Sequence, residues 1–587
     1  MTKALLNLRT KLGAGLALSL IAVSLHIASP ARAMENELEE TVNSANLAGS
    51  FLAAEIAGRD NDDEAAVAFY SRALSLDPEN LNLKRNLFVA MMANGRIAEA
   101  IEIAGAIQGD GNARNLAKIT LSVEALRKRS WTKVPLPLED LEGNDLDNMT
   151  AELIKSWALV GSGDLKAAII SAEAIDGPDW VLLVRDYHAG LMSASGGDDA
   201  AAVVYFAKVL EKRQFAAVLT ETFARAIEAL ARSEIRAGNK ENASRALKEG
   251  LGLLPGHNAF SELVKDIEAE KAVTPLVSSP QEGVAELLFN IASAIGREGG
   301  TPFAKTHLQL ANYLNGGIDV ISYALADIFE RQENYSKSII LLETITDASP
   351  LHHRATIAQA LNLASMGKND EAKANLRELI AANPKELSTY MTLGALFSRK
   401  DEYAEAAEVY DQAVAAIGTP KPRHWNLFFR RGIARERLKQ WELAEPNFEE
   451  ALKLFPNQAD VLNYLGYSWI DKGINLEEGV EMIRKAVSLK PRSGYIIDSL
   501  GWAHYKLENF EQAVKELERA VQLMSQDATV NDHLGDAYWK VGRKLEATFQ
   551  WQHALNAKPD DVERAKIEAK LKNGLVDEKD TTAQNEN

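Results

Sequence analysis

The 587-residue sequence contains no cysteine. That excludes disulfides, thiolate metal sites, a cysteine nucleophile and a lipid-modified N-terminal cysteine. Aromatic residues are scarce at 7 %, and positive charge is in deficit, with 65 Lys+Arg against 83 Asp+Glu. A surface of this sign repels phosphate backbones and anionic headgroups, so nucleic acid is not an expected partner. The ten histidines form no His-Glu-x-x-His pair. His352 and His353 are adjacent, which on a helix points them about 100° apart and away from a shared metal.

One long uncharged apolar run is singled out, Leu12 to Ile27, and it lies at the N-terminus. It falls short of the ~20 residues a membrane span needs. Lys3, Arg9 and Lys11 precede it, and Pro30-Ala31-Arg32-Ala33 follows as a small-x-small cleavage site. Residues 1–33 therefore read as an export signal cleaved before Met34. Cleavage removes Lys3, Arg9, Lys11 and Arg32 and no acid, leaving 61 Lys+Arg against 83 Asp+Glu, a net charge of -22. No direct membrane insertion is expected of the mature chain.

What the sequence does contain is a period. Gly432, Gly466, Gly501 and Gly535 are spaced by 34, 35 and 34 residues. Ala444, Ala513 and Ala547 follow three of them by twelve residues, with Gly479 as the fourth counterpart. Ala451, Ala486, Ala520 and Ala554 lie seven further on, and Pro456, Pro491 and Pro559 close three units. Two antiparallel helices approach closely only where their crossing carries Gly or Ala, while larger side chains fill the gaps between units. Proline lacks an N–H and stops the second helix. Upstream the register continues from starts near Leu387, His353, Asp319 and Ala285, with Ala406, Ala372, Ser338 and Ala304 in the small slot. Ala66, Ala100, Ala168, Ala202 and Ala243 carry it through the N-terminal half.

This order of small residues and proline resembles the tetratricopeptide repeat (TPR). The resemblance implies an all-α superhelix of helix–turn–helix repeats. Two segments leave the pattern: 131–148, with Pro135 and Pro137 where a second helix belongs, and 272–283, with Pro275, Pro280 and Gly283. The expected organisation is a signal at 1–33, an acidic segment at 34–46, a divergent repeat lobe at 47–271, a linker at 272–284, a second repeat lobe at 285–561, and a helical end with a polar tail at 562–587.

No catalytic, cofactor or metal constellation is visible. Asp60, Asp62, Asp63 and Glu64 suggest a calcium loop, but Ala65 and Ser71 stand where glycine and glutamate are required. Those acids are better read as capping the following helix. In the repeat family the first helix of each unit lines a concave groove through its positions two, five, nine, twelve and thirteen. The resemblance thereby implies a partner-binding groove of Asn463, Tyr467, Asp471, Tyr495, Asp498, Trp502, Tyr505, Lys506, Asp532, Asp536, Trp539 and Lys540. Asp498 and Trp502 occupy positions where the family's carboxylate clamp needs Lys and Asn, which disfavours a chaperone C-terminus as ligand.

The motifs Leu-Asn-Tyr-Leu-Gly-Tyr at 462–467, Asp-Ser-Leu-Gly-Trp at 498–502 and His-Leu-Gly-Asp-Ala-Tyr-Trp at 533–539 are similar to the terminal repeats of Gram-negative envelope TPR proteins. That group includes lipoprotein adaptors of carboxyl-terminal processing proteases. The resemblance implies a periplasmic scaffold or adaptor with a protein partner, an envelope protease or an envelope assembly factor. Without a cysteine after the signal, this chain departs from the lipoprotein adaptors. Two other readings stay open from sequence: an enzyme with a site in 131–148, and a cytosolic repeat protein held by an uncleaved N-terminal anchor.

Overall fold

The computed structural model describes residues 41–42, 45–109, 113–296 and 300–575. The signal at 1–33, most of the 34–46 segment and the tail from 576 onward lie outside the described residues. Every regular element described is helical, and no strand is present among these residues. Helices follow one another as antiparallel pairs, for example Leu47–Arg59 with Asp63–Leu76, Leu387–Arg399 with Tyr403–Ile417, and Ala528–Lys540 with Lys544–Asn556.

Local sequence sets the ends of these helices. Asp62, Asp164 and Asp198 each accept a hydrogen bond from the backbone N–H three residues on, which satisfies a free donor of the next helix. The role given to the acidic stretch at 60–64 thus holds for Asp62. The turn between the helices of a pair passes through a left-handed residue once per repeat: Glu333, Gly367, Asp401, Lys439, Gly473, Glu508 and Gly542. This conformation reverses the chain tightly, and at Glu333, Asp401, Lys439 and Glu508 it is held by residues that pay a steric cost glycine avoids.

The small-residue slot is where each pair closes. Ala66, Ala100, Ala168, Ala202, Ala243, Ser338, Ala372, Ala406, Ala444, Ala513 and Ala547 are all buried. A Cβ on Gly432 would lie 2.6 Å from the Phe448 ring, and one on Gly535 only 2.4 Å from the Trp551 ring. First helices of successive pairs also touch one another, as 459–472 does with 494–506 and 494–506 with 528–540. Successive second helices do not pack on one another in this way, so the array curves with its first helices inside.

The chain divides into two compact units, 1–351 and 352–587. The lobe boundary expected at 272–284 is therefore displaced. That segment lies inside the first unit, where the helices Pro280–Gly296 and Thr301–Leu314 pack against 81–94, 114–127 and 145–161 instead of opening a second lobe. Proline and serine mark a loop as far as Ser279, but Pro280 and Gly283, read as part of it, already belong to the helix Pro280–Gly296, and the pattern does not say where that helix goes. The other irregular segment also differs in part. Trp131–Lys133 and Leu136–Leu138 are short 3-10 turns in place of a second helix, but Asp145–Gly161 is already helix, capped by Asn144 and Asp147.

Two buried histidines in the first unit carry a pH dependence. Trp157 Nε1 donates to His188 Nδ1 at 3.2 Å, and His307 Nδ1 lies 2.9 Å from the Phe303 carbonyl oxygen. Burial pushes both imidazoles down to about 4. A histidine with a depressed pKa stabilises the fold while neutral, so its contribution is present above the unfolded value near 6.5 and is lost as pH falls toward about 4. Lowering pH from 7 to 4.5 should cost the first unit on the order of 3 kcal/mol per histidine. Thermal melts at the two pH values check this, and His307→Gln should flatten the dependence.

Candidate site on the concave face of the second unit

In the second unit the first helices are His352–Ser365, Leu387–Arg399, Trp425–Arg437, Ala459–Lys472, Gly494–Lys506 and Ala528–Lys540, with Asp561–Asn573 closing the end. Their inner positions change character along the array. Upstream they are apolar and half-buried: Leu361, Met391, Phe429 and Ile433. Downstream they become aromatic and charged.

The downstream part is a ladder in which one repeat's carboxylate meets a donor one repeat later. The Tyr495 hydroxyl donates to Asp460, 35 residues back, and Lys490 Nζ reaches both Asp460 oxygens at 2.8 Å. His533 Nδ1 sits 3.0 and 3.1 Å from the Asp498 oxygens, again 35 residues apart. Lys570 Nζ lies 2.7 Å from both Asp532 and Asp536, and Trp551 Nε1 donates to Asp536 at 2.9 Å. Burial, with Asp532 nearby, pushes the Asp536 carboxyl up to about 6 despite the lysine. Burial alone would lower His533, but Asp498 outweighs it and holds the imidazole above its ordinary value.

The residues named from the sequence therefore fall into two groups. Asp471, Tyr495 and Lys506 are exposed, and Tyr467 is half-buried, its hydroxyl pushed up to about 12 by burial and by Asp471 and Asp498. Asn463, Asp498 and Asp536 are buried, and Asp532, half-buried, is held by Lys570. Trp539 leans on Trp551 at 5.4 Å, with Lys544 Nζ 4.9 Å from its centroid. Lys540 lies 5.8 Å from the Phe510 ring centroid. His533, Lys570 and Asp460 were missed by sequence reasoning. The signal for them was the 34- and 35-residue offset itself, read between repeats instead of within one.

Trp502, half-buried, is the most enclosed by other rings. Tyr505 stacks on it at 4.5 Å and 5°, and His533 at 3.9 Å and 15°. Two rings lying parallel to the indole this closely cannot share one of its faces without overlapping, so Trp502 is the middle of a three-ring stack. Lys506 Nζ lies 5.6 Å from its centroid. The expected strip of Asp498, Trp502 and Lys506 is present, but both faces of the ring are covered by the chain's own residues.

Among the described residues no group of three or more metal-ligating side chains comes together. Family models of the tetratricopeptide repeat match residues 60–118, 357–420, 429–493 and 497–526. The chain is a tetratricopeptide-repeat protein. It is similar to the TPR repeat-containing protein PA4667 of Pseudomonas aeruginosa, 25 % identical over 192 residues, which is 32 % of this chain and 31 % of that one. It is also similar to the Protein CTR9 homolog of Arabidopsis thaliana, 28 % identical over 120 residues, or 20 % of this chain and 11 % of that one. The matches thus span under a third of either relative's length. Among solved structures, the Cut9–Hcn1 complex gives 15 % identity and a TM-score of 0.37, covering 92 % of this chain and 99 % of that one. The TPR protein YrrB gives 23 % and 0.25, covering 32 % and 91 %.

Tetratricopeptide repeats make this chain a scaffold for protein–protein interaction, and repeat proteins of this kind are generally non-catalytic. Along these helices Asp471, Tyr495 and Lys506 are exposed, with the Tyr495 hydroxyl tied to Asp460, whereas the ring of Trp502 holds adjacent repeats together. Trp502→Ala should therefore cost about 3 kcal/mol or more of stability, because it leaves a void between two rings. A urea melt of the variant checks this, and an unchanged midpoint would show that the ring faces are free.

Proposed function

We propose that the mature protein is an exported, periplasmic scaffold whose second unit holds a protein partner on its concave face, in cell-envelope assembly or envelope proteolysis. The observation that carries the reading is the inner surface of that unit, where half-buried apolar side chains lead into exposed Asp471, Tyr495 and Lys506. Large amphipathic rings beside satisfiable charges are what protein interfaces favour. Export rests on the basic, apolar and small-residue pattern of residues 1–33. The similarity of the C-terminal motifs to envelope repeat proteins, adaptors of carboxyl-terminal processing proteases among them, supplies the partner class. A soluble adaptor without a lipid anchor would meet its protease in the periplasm directly.

Protein purified from its native envelope fraction should begin at Met34 and co-purify with a defined protein partner. Reversing the two exposed groove charges, Asp471→Lys with Lys506→Glu, should abolish that co-purification while leaving the melting temperature within about 2 °C, as befits solvent-facing substitutions. A chain that still begins at Met1 contradicts export. A partner retained by the double variant contradicts the groove.

A further inference from the structure

The helices Pro280–Gly296 and Thr301–Leu314 are unlike the other pairs of the first unit. A helix in a curved array buries one side, yet here ten consecutive residues, Gly283 to Ala292, are buried, and so are Ala304 to Ala311. A helix buried on all sides is surrounded. The pair packs on 81–94, 114–127, 145–161, 179–195 and 220–236, the first helices of five successive repeats, while 301–314 also packs on 97–104 and on 319–331, the next helix of the chain. The five first helices are those that line the inside of the curve. The pair thus lies where a bound partner would lie in an open array.

Its contacts have the character of recognition. The Glu286 carboxylate accepts from Arg225 Nη2 at 2.7 Å, Arg225 Nε at 3.1 Å and the Tyr187 hydroxyl at 2.8 Å. One turn on, Asn290 Oδ1 accepts from Thr222 at 2.7 Å. At the far end of the pair the buried Lys305 ammonium is tied to Asp63 in the first repeat. One turn ahead of Glu286 the backbone approaches so closely that a Cβ on Gly283 would lie 2.2 Å from the Trp157 ring. Buried charges separated from their partners are strongly disfavoured, so one carboxylate matched on the groove wall and one ammonium matched at the start of the first repeat's second helix fix a single register.

We propose that the groove of the first unit carries a permanent ligand made by its own chain, the helical pair 280–314. Partners that bind through a concave face are thereby confined to the second unit. The first groove is built for an apolar helical hairpin bearing one carboxylate and one ammonium, and it is already full. This goes beyond the scaffold reading, and its test requires no partner.

The absence of cysteine makes the test direct. In the full-length chain, a single Thr222→Cys reports on the filled groove and a single Ile433→Cys on the inner face of the second unit. With a small maleimide as probe, Thr222→Cys should react at least about 100-fold more slowly, since labelling must wait for a sub-global opening. Adding Glu286→Gln removes the buried anchor charge and should speed Thr222→Cys labelling by about tenfold or more, leaving Ile433→Cys unchanged. Equal labelling rates for the two single variants would show an open first groove and overturn the proposal. So would Glu286→Gln accelerating both sites alike. If the Glu286→Gln chain does not fold, the comparison of the single variants decides alone.

Discussion

Within each repeat, two helices cross where a glycine or alanine of one meets a large side chain or the backbone of the other. At Gly466 and Gly479 the crossing is backbone on backbone, with a Cβ on Gly466 reaching 2.7 Å from the Gly479 carbonyl oxygen. This close approach sets the distance between first and second helices, and with it the tilt passed from one repeat to the next. Because the first helices then touch one another while successive second helices do not pack in the same way, curvature follows from the same contacts. A groove is the consequence of that curvature and needs no further residue to create it.

The two units use this groove differently. In the first, the pair 280–314 fills it through an apolar surface and two matched buried charges. In the second, the inner face is lined by half-buried apolar side chains upstream and a ladder of carboxylates downstream, closed at its end by Lys570 from the last helix. That terminal helix is otherwise polar and buries chiefly Ile567, so it caps the array with little core of its own. The small-residue pattern is the same on either side of position 351.

Much of this was legible in the sequence because the determining residues are local. The spacing of Gly432, Gly466, Gly501 and Gly535 reports a steric requirement that recurs at each crossing, and the helix starts at Leu387, Trp425 and Asp319 follow from it. The residues named for the groove lie on the first helices 459–472, 494–506 and 528–540. What escaped was contact between repeats. Trp502 reads as a groove ring until His533 from the next repeat covers its second face, and Asp536 reads as a free carboxylate until Lys570 arrives 34 residues later. The return of 280–314 into the first groove was hidden for a similar reason. A proline- and serine-rich loop looks the same whether the next helix stacks onward or turns inward. The unused signal was the composition of 283–292, too apolar on every side for an outer repeat.

The claim on which the rest depends is that the small-residue crossing sets the array. Gly535→Ala measures it, because the added methyl would meet Trp551 at the 2.4 Å contact while nothing else in the last repeats changes. Overpacking of this kind costs about 1–3 kcal/mol. Hydrogen exchange should show protection lost together across 528–540, 544–556 and 561–573, with 352–437 unaffected. Protection unchanged in all three helices would contradict the account, since the crossing would then be free to relax without consequence.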